Sequence, residues 1–220
     1  MKRNSIRIIV TAGPTIEPID PVRFISNRST GVMGYKIAEE ALRRGNKVTL
    51  ISGPVKMTPP KAHKFIAIET AEELLSVLKK EIKKADCLVM CAAVSDFRPK
   101  FVFDRKIKKS GKELKIELIE NKDILQELSK FHNHKLFIGF SLETENLLKN
   151  TYSKLKRKNL DLIVANSLTK LHNPFDDKNL NVLIIDKFKN FTSLKAKNKA
   201  FISYVLLDKI EELWYLMKRH

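Results

Sequence analysis

Along this chain, short β-branched runs alternate with stretches whose apolar residues recur at helical spacing, and that alternation predicts an α/β fold. Arg7 to Ala12 reads as a buried strand ending at Gly13-Pro14. After a long loop over residues 13–30, Thr30 is placed to cap a helix from Gly31 to Arg44, with Ile37, Ala38, Ala41 and Leu42 as its apolar stripe and Gly45 as its stop. Val48 to Ile51 is a second strand, and Thr70-Ala71-Glu72-Glu73 is a capping box that opens a helix to about Lys84. Cys87 to Ala93 is a third strand. A basic, irregular stretch from Pro99 leads to Leu114–Leu118, which alternates with period two, so a hairpin-like insertion is expected near residues 99–120. Helices from Asp123 to Lys130 and from Glu145 to Lys158, strands Leu136–Phe140, Leu162–Ala165 and Asn181–Asp186, and a closing helix Lys197–Met217 complete the pattern. Strand and helix alternating this often imply a Rossmann-like, mostly parallel sheet with helices on both faces. No linker interrupts residues 1–220, which read as one domain.

Composition narrows this without changing it. With 43% hydrophobic and 30% charged residues among 220, the chain can bury a core without disulfides or metal. Cys87 and Cys91 share one apolar run and read as core thiols. The longest apolar runs are too short to span a bilayer, and Met1–Ser5 leads into a strand with no leader-like segment, so a cytoplasmic protein without membrane contact is expected. The net charge of +17 would attract polyanions. Its lysines are dispersed and lack a set of aromatic stacking residues, so they read mainly as a solvated surface and nucleic acid is not an expected partner.

In a sheet of this kind a ligand lies beyond the carboxyl ends of the strands, so the loops after Ala12, Ala93, Phe140 and Ala165 must share one crevice. Ser26 to Gly34 is polar and glycine-spaced where a helix begins. Free N–H groups there would hold a phosphate, although a helix start packed on the sheet would show the same spacing. Ala92-Ala93 puts small side chains at a strand exit, with Asp96 three residues further to bind hydroxyl or amide donors or to cap a turn. Lys106, Lys108 and Lys109 could close over a triphosphate, and Lys154 and Lys158 share one helical face; in both cases the plain alternative is solvent.

These segments resemble a known family. Thr11–Thr15, Glu17–Arg23, Asn27–Gly34, Ala92–Pro99, Lys106–Lys109, Gly139–Thr144 and Asn159–Asn166 occur in the order of phosphopantothenate–cysteine ligase of coenzyme A biosynthesis, in its bacterial CTP-using form. Pro14, Ile16, Thr30, Ser95 and Lys122 depart from the residues usual there. The resemblance implies that 4′-phosphopantothenate is activated by CTP with Mg²⁺ to an acyl-cytidylate, which L-cysteine then opens with release of CMP. It also implies roles: Asn27 and Lys106 in catalysis; Gly13, Ser29, Gly31, Gly34, Ala92, Asp96, Lys106, Lys122, Asp123, Ile124, Leu125, Phe140, Lys154, Lys158 and Asn166 around the nucleotide; and Arg23, Asn27 and Ala93 around phosphopantothenate. Arg23 would come from a neighbouring subunit, so a homodimer is implied, and a separate phosphopantothenoylcysteine decarboxylase is a candidate partner. The resemblance points to no metal ligands. His63, His132, His134, His172 and His220 match no family motif.

Two other classes remain open on the residues alone. A nicotinamide-dependent oxidoreductase could use the same sheet, but no G-x-G-x-x-G follows the first strand and no acidic residue follows the Val48–Ile51 strand for a ribose. A non-enzymatic polyanion-binding module would bind nucleic acid in a salt-dependent way.

Overall fold

The β-branched runs identified above form the centre of one sheet, because a strand covered on both faces needs apolar residues at every position. A computed structural model describes residues 5–109, 111, 113–143, 147–167 and 179–219. Thr144, the expected helix start at Glu145, His172, His220 and the amino-terminal Met1–Asn4 lie outside them. The strands are β1 (Arg7–Ala12), β2 (Ile16–Pro18), β3 (Phe24–Ser26), β4 (Lys47–Ser52), β5 (Lys64–Ala67), β6 (Cys87–Met90), β7 (Phe97–Pro99), β8 (Leu118–Glu120), β9 (Leu136–Glu143), β10 (Leu162–Ser167), β11 (Leu180–Asp186) and β12 (Phe191–Lys197). The helices are α1 (Val32–Arg43), α2 (Ala71–Glu81), α3 (Ile124–Leu128), α4 (Leu147–Arg157) and α5 (Lys199–Arg219).

Eight strands make the main sheet in the order β12-β11-β10-β9-β6-β1-β4-β5. From β5 to β10 the pairs are parallel; β11 and β12 are antiparallel. One face packs against α1 and α5 through Val10, Ile37, Ile138, Val164, Ile202 and Leu206. The other packs against α2, α3 and α4 through Ile9, Leu74, Leu88, Leu128, Leu155 and Ile163. The expected Rossmann-like architecture is therefore present.

Several local expectations shift. Thr70 caps α2 as expected, its Oγ1 accepting from Glu73 N at 3.1 Å, while the Glu73 carboxylate reaches one residue further back than a capping box requires and accepts from Glu69 N at 2.7 Å. At the end of α1, Gly45 N and Asn46 N close onto Leu42 O and Ala41 O, a Schellman stop. Thr30 does not cap α1. The cap is Gly31, at φ 78° with no side-chain hydrogen bond. A Cβ on Gly31 would stand 2.7 Å from Val55 Cγ1 and 3.3 Å from Gly13 N, so only glycine fits where α1 meets the first loop.

The third strand ends at Met90 rather than Ala93, because Thr11 Oγ1 takes the N–H groups of Cys91 and Ala92, each at 3.0 Å. The insertion is a two-stranded ribbon, but its second strand is Leu118–Glu120, paired with Phe97–Pro99, and not Leu114–Leu118. Four strands were not expected. β2 and β3 form a small hairpin, and β5 and β12 edge the main sheet; in β12 only Leu194 is buried, so its apolar signal is faint.

Candidate functional site

Beyond the carboxyl ends of the strands lies a cavity of about 610 Å³. Its walls bring together the expected Asn27, Ser29, Gly31, Gly34, Ala92, Ala93, Asp96, Phe140 and Asn166. Asn166 and Phe140 stand on β10 and β9 in the register that faces α1 and α5, alongside Val164 and Ile138 of that core. Gly34 lets α1 approach β1, since a Cβ there would meet Ala12 Cβ at 2.6 Å and Thr11 O at 2.9 Å. Because Gly31 caps α1 without a side chain, the helix's positive end is left open toward the cavity.

The loop after β6 is fixed by a hydrogen-bond lattice. Ala93 N donates to Gly13 O at 2.9 Å and Thr15 N to Ala93 O at 3.1 Å, which places Gly13 beneath the site rather than in its wall. Asn27 Nδ2 donates to Ala93 O at 3.2 Å and to Val94 O at 3.0 Å. Both amide protons are thus engaged, and Oδ1 is left to accept from a ligand. Asn121 ties the next turn to this loop: its Nδ2 donates to Ser95 O at 2.9 Å, its N to Asp96 O at 2.8 Å, and its Oδ1 accepts from Arg98 at 3.0 Å. Glu17 lies buried beside them, accepting from Ala71 N at 3.0 Å; burial raises its carboxyl above the usual range against the lowering effect of that bond.

The remaining expected residues lie elsewhere. Lys106 is exposed in the insertion and does not line the cavity. Lys122 borders a small pocket with Arg98 and Asn121, and Asp123 caps α3 by accepting from Gln126 N. Ile124 and Leu125 are buried in the core under α2, so only their backbone could meet a nucleotide. Lys154 pairs with the buried Glu143 at 2.6 Å, and Lys158 with Asp123 at 3.1 Å. Burial would raise the Glu143 carboxyl, but Lys154 and the Ser141 hydroxyl hold it below the usual range. Arg23 reaches the insertion of its own chain, donating to Ile107 O at 2.9 Å.

Sequence reasoning missed Lys199 and Cys91. Lys199 is 6% exposed at the first position of α5, yet it lines the cavity. A cation at the amino end of a helix opposes the helix dipole, a conflict visible in sequence once α5 is bounded. Cys91 also lines the cavity and is half-buried rather than a core thiol; burial pushes it up to about 12 despite the charge of Lys199, so it stays protonated. Cys87 is a core thiol as expected. Among the described residues no group of three or more His, Cys, Asp or Glu could hold a metal ion, and no helix is long and apolar enough to cross a membrane.

The family described as DNA/pantothenate metabolism flavoprotein C-terminal domain matches residues 4–213. The chain belongs to that family. A curated relative from an unknown prokaryotic organism, named cysteine/cysteine sulfinic acid decarboxylase, is 41% identical over 209 residues, 94% of this chain and 58% of its own length. The coenzyme A biosynthesis bifunctional protein CoaBC of Bacillus subtilis is 39% identical over 207 residues, 94% of this chain and 51% of its own. The chain thus spans about half the length of the curated relatives it matches. A crystal structure of the C-terminal domain of a CoaBC protein superposes with a TM-score of 0.82 at 34% identity, covering 96% of each chain.

Proposed function

We propose that residues 1–220 form one ligase domain that joins 4′-phosphopantothenate to L-cysteine in coenzyme A biosynthesis, at the expense of CTP and in the cytoplasm. The observation that carries this reading is the cavity itself, in which the open end of α1, the Asn27 amide, the Ala92-Ala93 strand exit, Asp96, Phe140 and Asn166 converge. Family membership and the CoaBC relatives support it.

In the first step a carboxylate oxygen of phosphopantothenate attacks the α-phosphorus of CTP, and pyrophosphate leaves with the electron pair of the broken P–O bond. The chain's task is to hold two anions together. Backbone N–H groups at the start of α1 cradle phosphate oxygens beside the Gly31 N–H, which donates to Ser29 Oγ at 3.3 Å, Phe140 and Asn166 border the nucleotide, and Ala93 gives the pantetheine-like arm room against the backbone. Lys154, Lys158 and the backbone of the Lys122–Leu125 turn meet the triphosphate from the other side of the strand ends. In the second step the cysteine amine adds to the acyl carbonyl and CMP departs. The free Oδ1 of Asn27 accepts a hydrogen bond from the amine and aims the nitrogen, the proton that the amine sheds passes to solvent, and the Lys106 ammonium stabilises charge on the carbonyl oxygen and on the leaving phosphate.

Mg²⁺ fits this donor set as an ion held mainly by substrate phosphates, with Asp96 as the one carboxylate in the described cavity wall. When bound it would neutralise phosphate charge. A homodimer in which Arg23 completes the neighbour's phosphopantothenate site is supported by the exposed Val22, Phe24, Phe97, Phe101 and Leu118 around the β2–β3 hairpin and the β7–β8 ribbon. A separate phosphopantothenoylcysteine decarboxylase is the expected consumer of the product. Pyrophosphate release from CTP and phosphopantothenate, followed by amide product only when cysteine is added, tests the proposal. Absence of nucleotide-dependent turnover overturns it, and stabilisation by an oligonucleotide or by NAD(P) in place of CTP would favour the competing classes.

A further inference from the structure

The insertion that carries Lys106 is held by a buried carboxylate with no part in the chemistry above. Asp20 is 3% exposed in the turn between β2 and β3. Its Oδ1 accepts from Val22 N and Arg23 N, each at 2.8 Å. Its Oδ2 accepts from Ile107 N at 3.1 Å and meets Arg23 Nη1 at 3.1 Å. Arg23 completes the ring by donating from Nη2 to Ile107 O at 2.9 Å. Both backbone polar groups of Ile107 are therefore engaged by one carboxylate–guanidinium pair. A second strap lies four residues earlier, where Phe103 N donates to Ile19 O at 2.9 Å. Asp20 is fully satisfied as an anion: burial alone would raise its carboxyl, but the N–H groups of Ile107, Val22 and Arg23 and the charge of Arg23 carry it below the usual range.

Lys106 is the residue next to this anchor, and its side chain is otherwise exposed. A flexible lysine loses conformational freedom when it meets a transition state, and fixing the adjoining backbone lowers that loss. We infer that Asp20, acting through Arg23 and the backbone of Ile107, is a positioning residue that holds Lys106 for the amide-forming step. The inference rests on the ligase reading. It adds that Arg23, which that reading offers to a neighbour's phosphopantothenate, is tied to the Lys106 segment of its own chain. Occupancy of one site would then bear on the geometry of the other.

Asp20→Asn tests this, because the isosteric amide can present a donor where Ile107 N–H and Arg23 need an acceptor. By rapid quench at saturating phosphopantothenate, which offsets any weakened grip of Arg23 on that substrate, the variant is expected to form acyl-cytidylate within about threefold of the wild-type rate, and to form amide product roughly tenfold to a hundredfold more slowly, part of the roughly 10² to 10³ that loss of one transition-state donor costs. A purely structural role would slow both steps in proportion to the folded fraction, and that outcome overturns the inference, as does normal product formation by the variant. If wild-type protein forms no acyl-cytidylate, the ligase reading itself fails. Should Asp20→Asn not fold, amide hydrogen exchange in wild type decides: Ile107 N–H is expected to exchange at least tenfold more slowly than Lys108 and Lys109, and equal rates would remove the anchor.

Discussion

For the phosphates of the proposed reaction, the two sides of the strand ends present different donors. On the side of α1 and α5, the donors are backbone N–H groups fixed by close packing: Gly34 lies against Ala12, and Gly31 against Val55 and Gly13. On the side of α3 and α4, the donors are lysine ammoniums that already have partners, Lys154 with Glu143 and Lys158 with Asp123. A fixed amide needs no reorganisation to receive an anion, whereas a paired lysine must exchange or share its carboxylate. Under the ligase reading proposed above, the first side would set geometry, and the second would supply charge that can be redistributed as pyrophosphate leaves.

The largest expected effect falls on Lys106, the cation that belongs to neither side and is carried by the insertion. Lys106→Gln should still release pyrophosphate once per site while amide formation falls by roughly 10² to 10³. Quench-flow at saturating CTP checks it, and product at the wild-type rate would return Lys106 to an affinity role. Next comes the rigid side. Gly34→Ala forces α1 away from β1 and should lower stability by about 1–3 kcal/mol. Urea melts read that loss, and CTP binding should weaken with it because the helix end moves. An unchanged melt would mean the approach of α1 to β1 is not tight.

A smaller pair of effects has opposite signs. Lys154→Met should raise KM for CTP roughly tenfold, the equivalent of one charged hydrogen bond of about 1.5 kcal/mol. Glu143→Gln, which leaves the ammonium of Lys154 un-neutralised, should lower that KM by roughly twofold to threefold. Movement of both in the same direction would show that the pair is only structural. The smallest effect is on acid stability. The folded-state pKa of Glu143 is depressed, so its contribution is present above the ordinary glutamate value of about 4.3 and is lost as pH falls through the lower folded value. Melts from pH 6 down to pH 3 should show Glu143→Gln losing less stability than wild type.

Much of this is legible in the sequence. The β1 run, the Thr70 cap and the Gly45 stop each depend on residues within a few positions of one another, where local sterics and hydrogen bonding decide. The cavity was legible for the same reason: strand ends in a parallel sheet share one edge, so Ala92, Phe140 and Asn166 had to meet near Gly31. Less legible was the role of Thr30, a good cap by type. It lost that place to Gly31 because Val55 and Gly13 leave no room for a Cβ there, and neither is near in sequence. Lys199 was overlooked because a lysine at a helix start looks like solvent until the helix is docked with its end on the cavity.

The sequence alone determined the helices and the central strands, the mostly parallel α/β class and the set of chemical groups available to a ligand, but not the short hairpin and edge strands. Tertiary structure decided which of those groups share a face. Strand alternation puts Phe140 and Asn166 toward α1 and α5, while the turn at Lys122–Leu125, Lys154 and Lys158 belong to the opposite layer. It also decided that Asp20 holds Ile107 across 87 residues of chain. Periodicity carries information over a turn or a strand. Contacts at such separations follow from strand order and from the path of loops over the sheet, which no local pattern encodes.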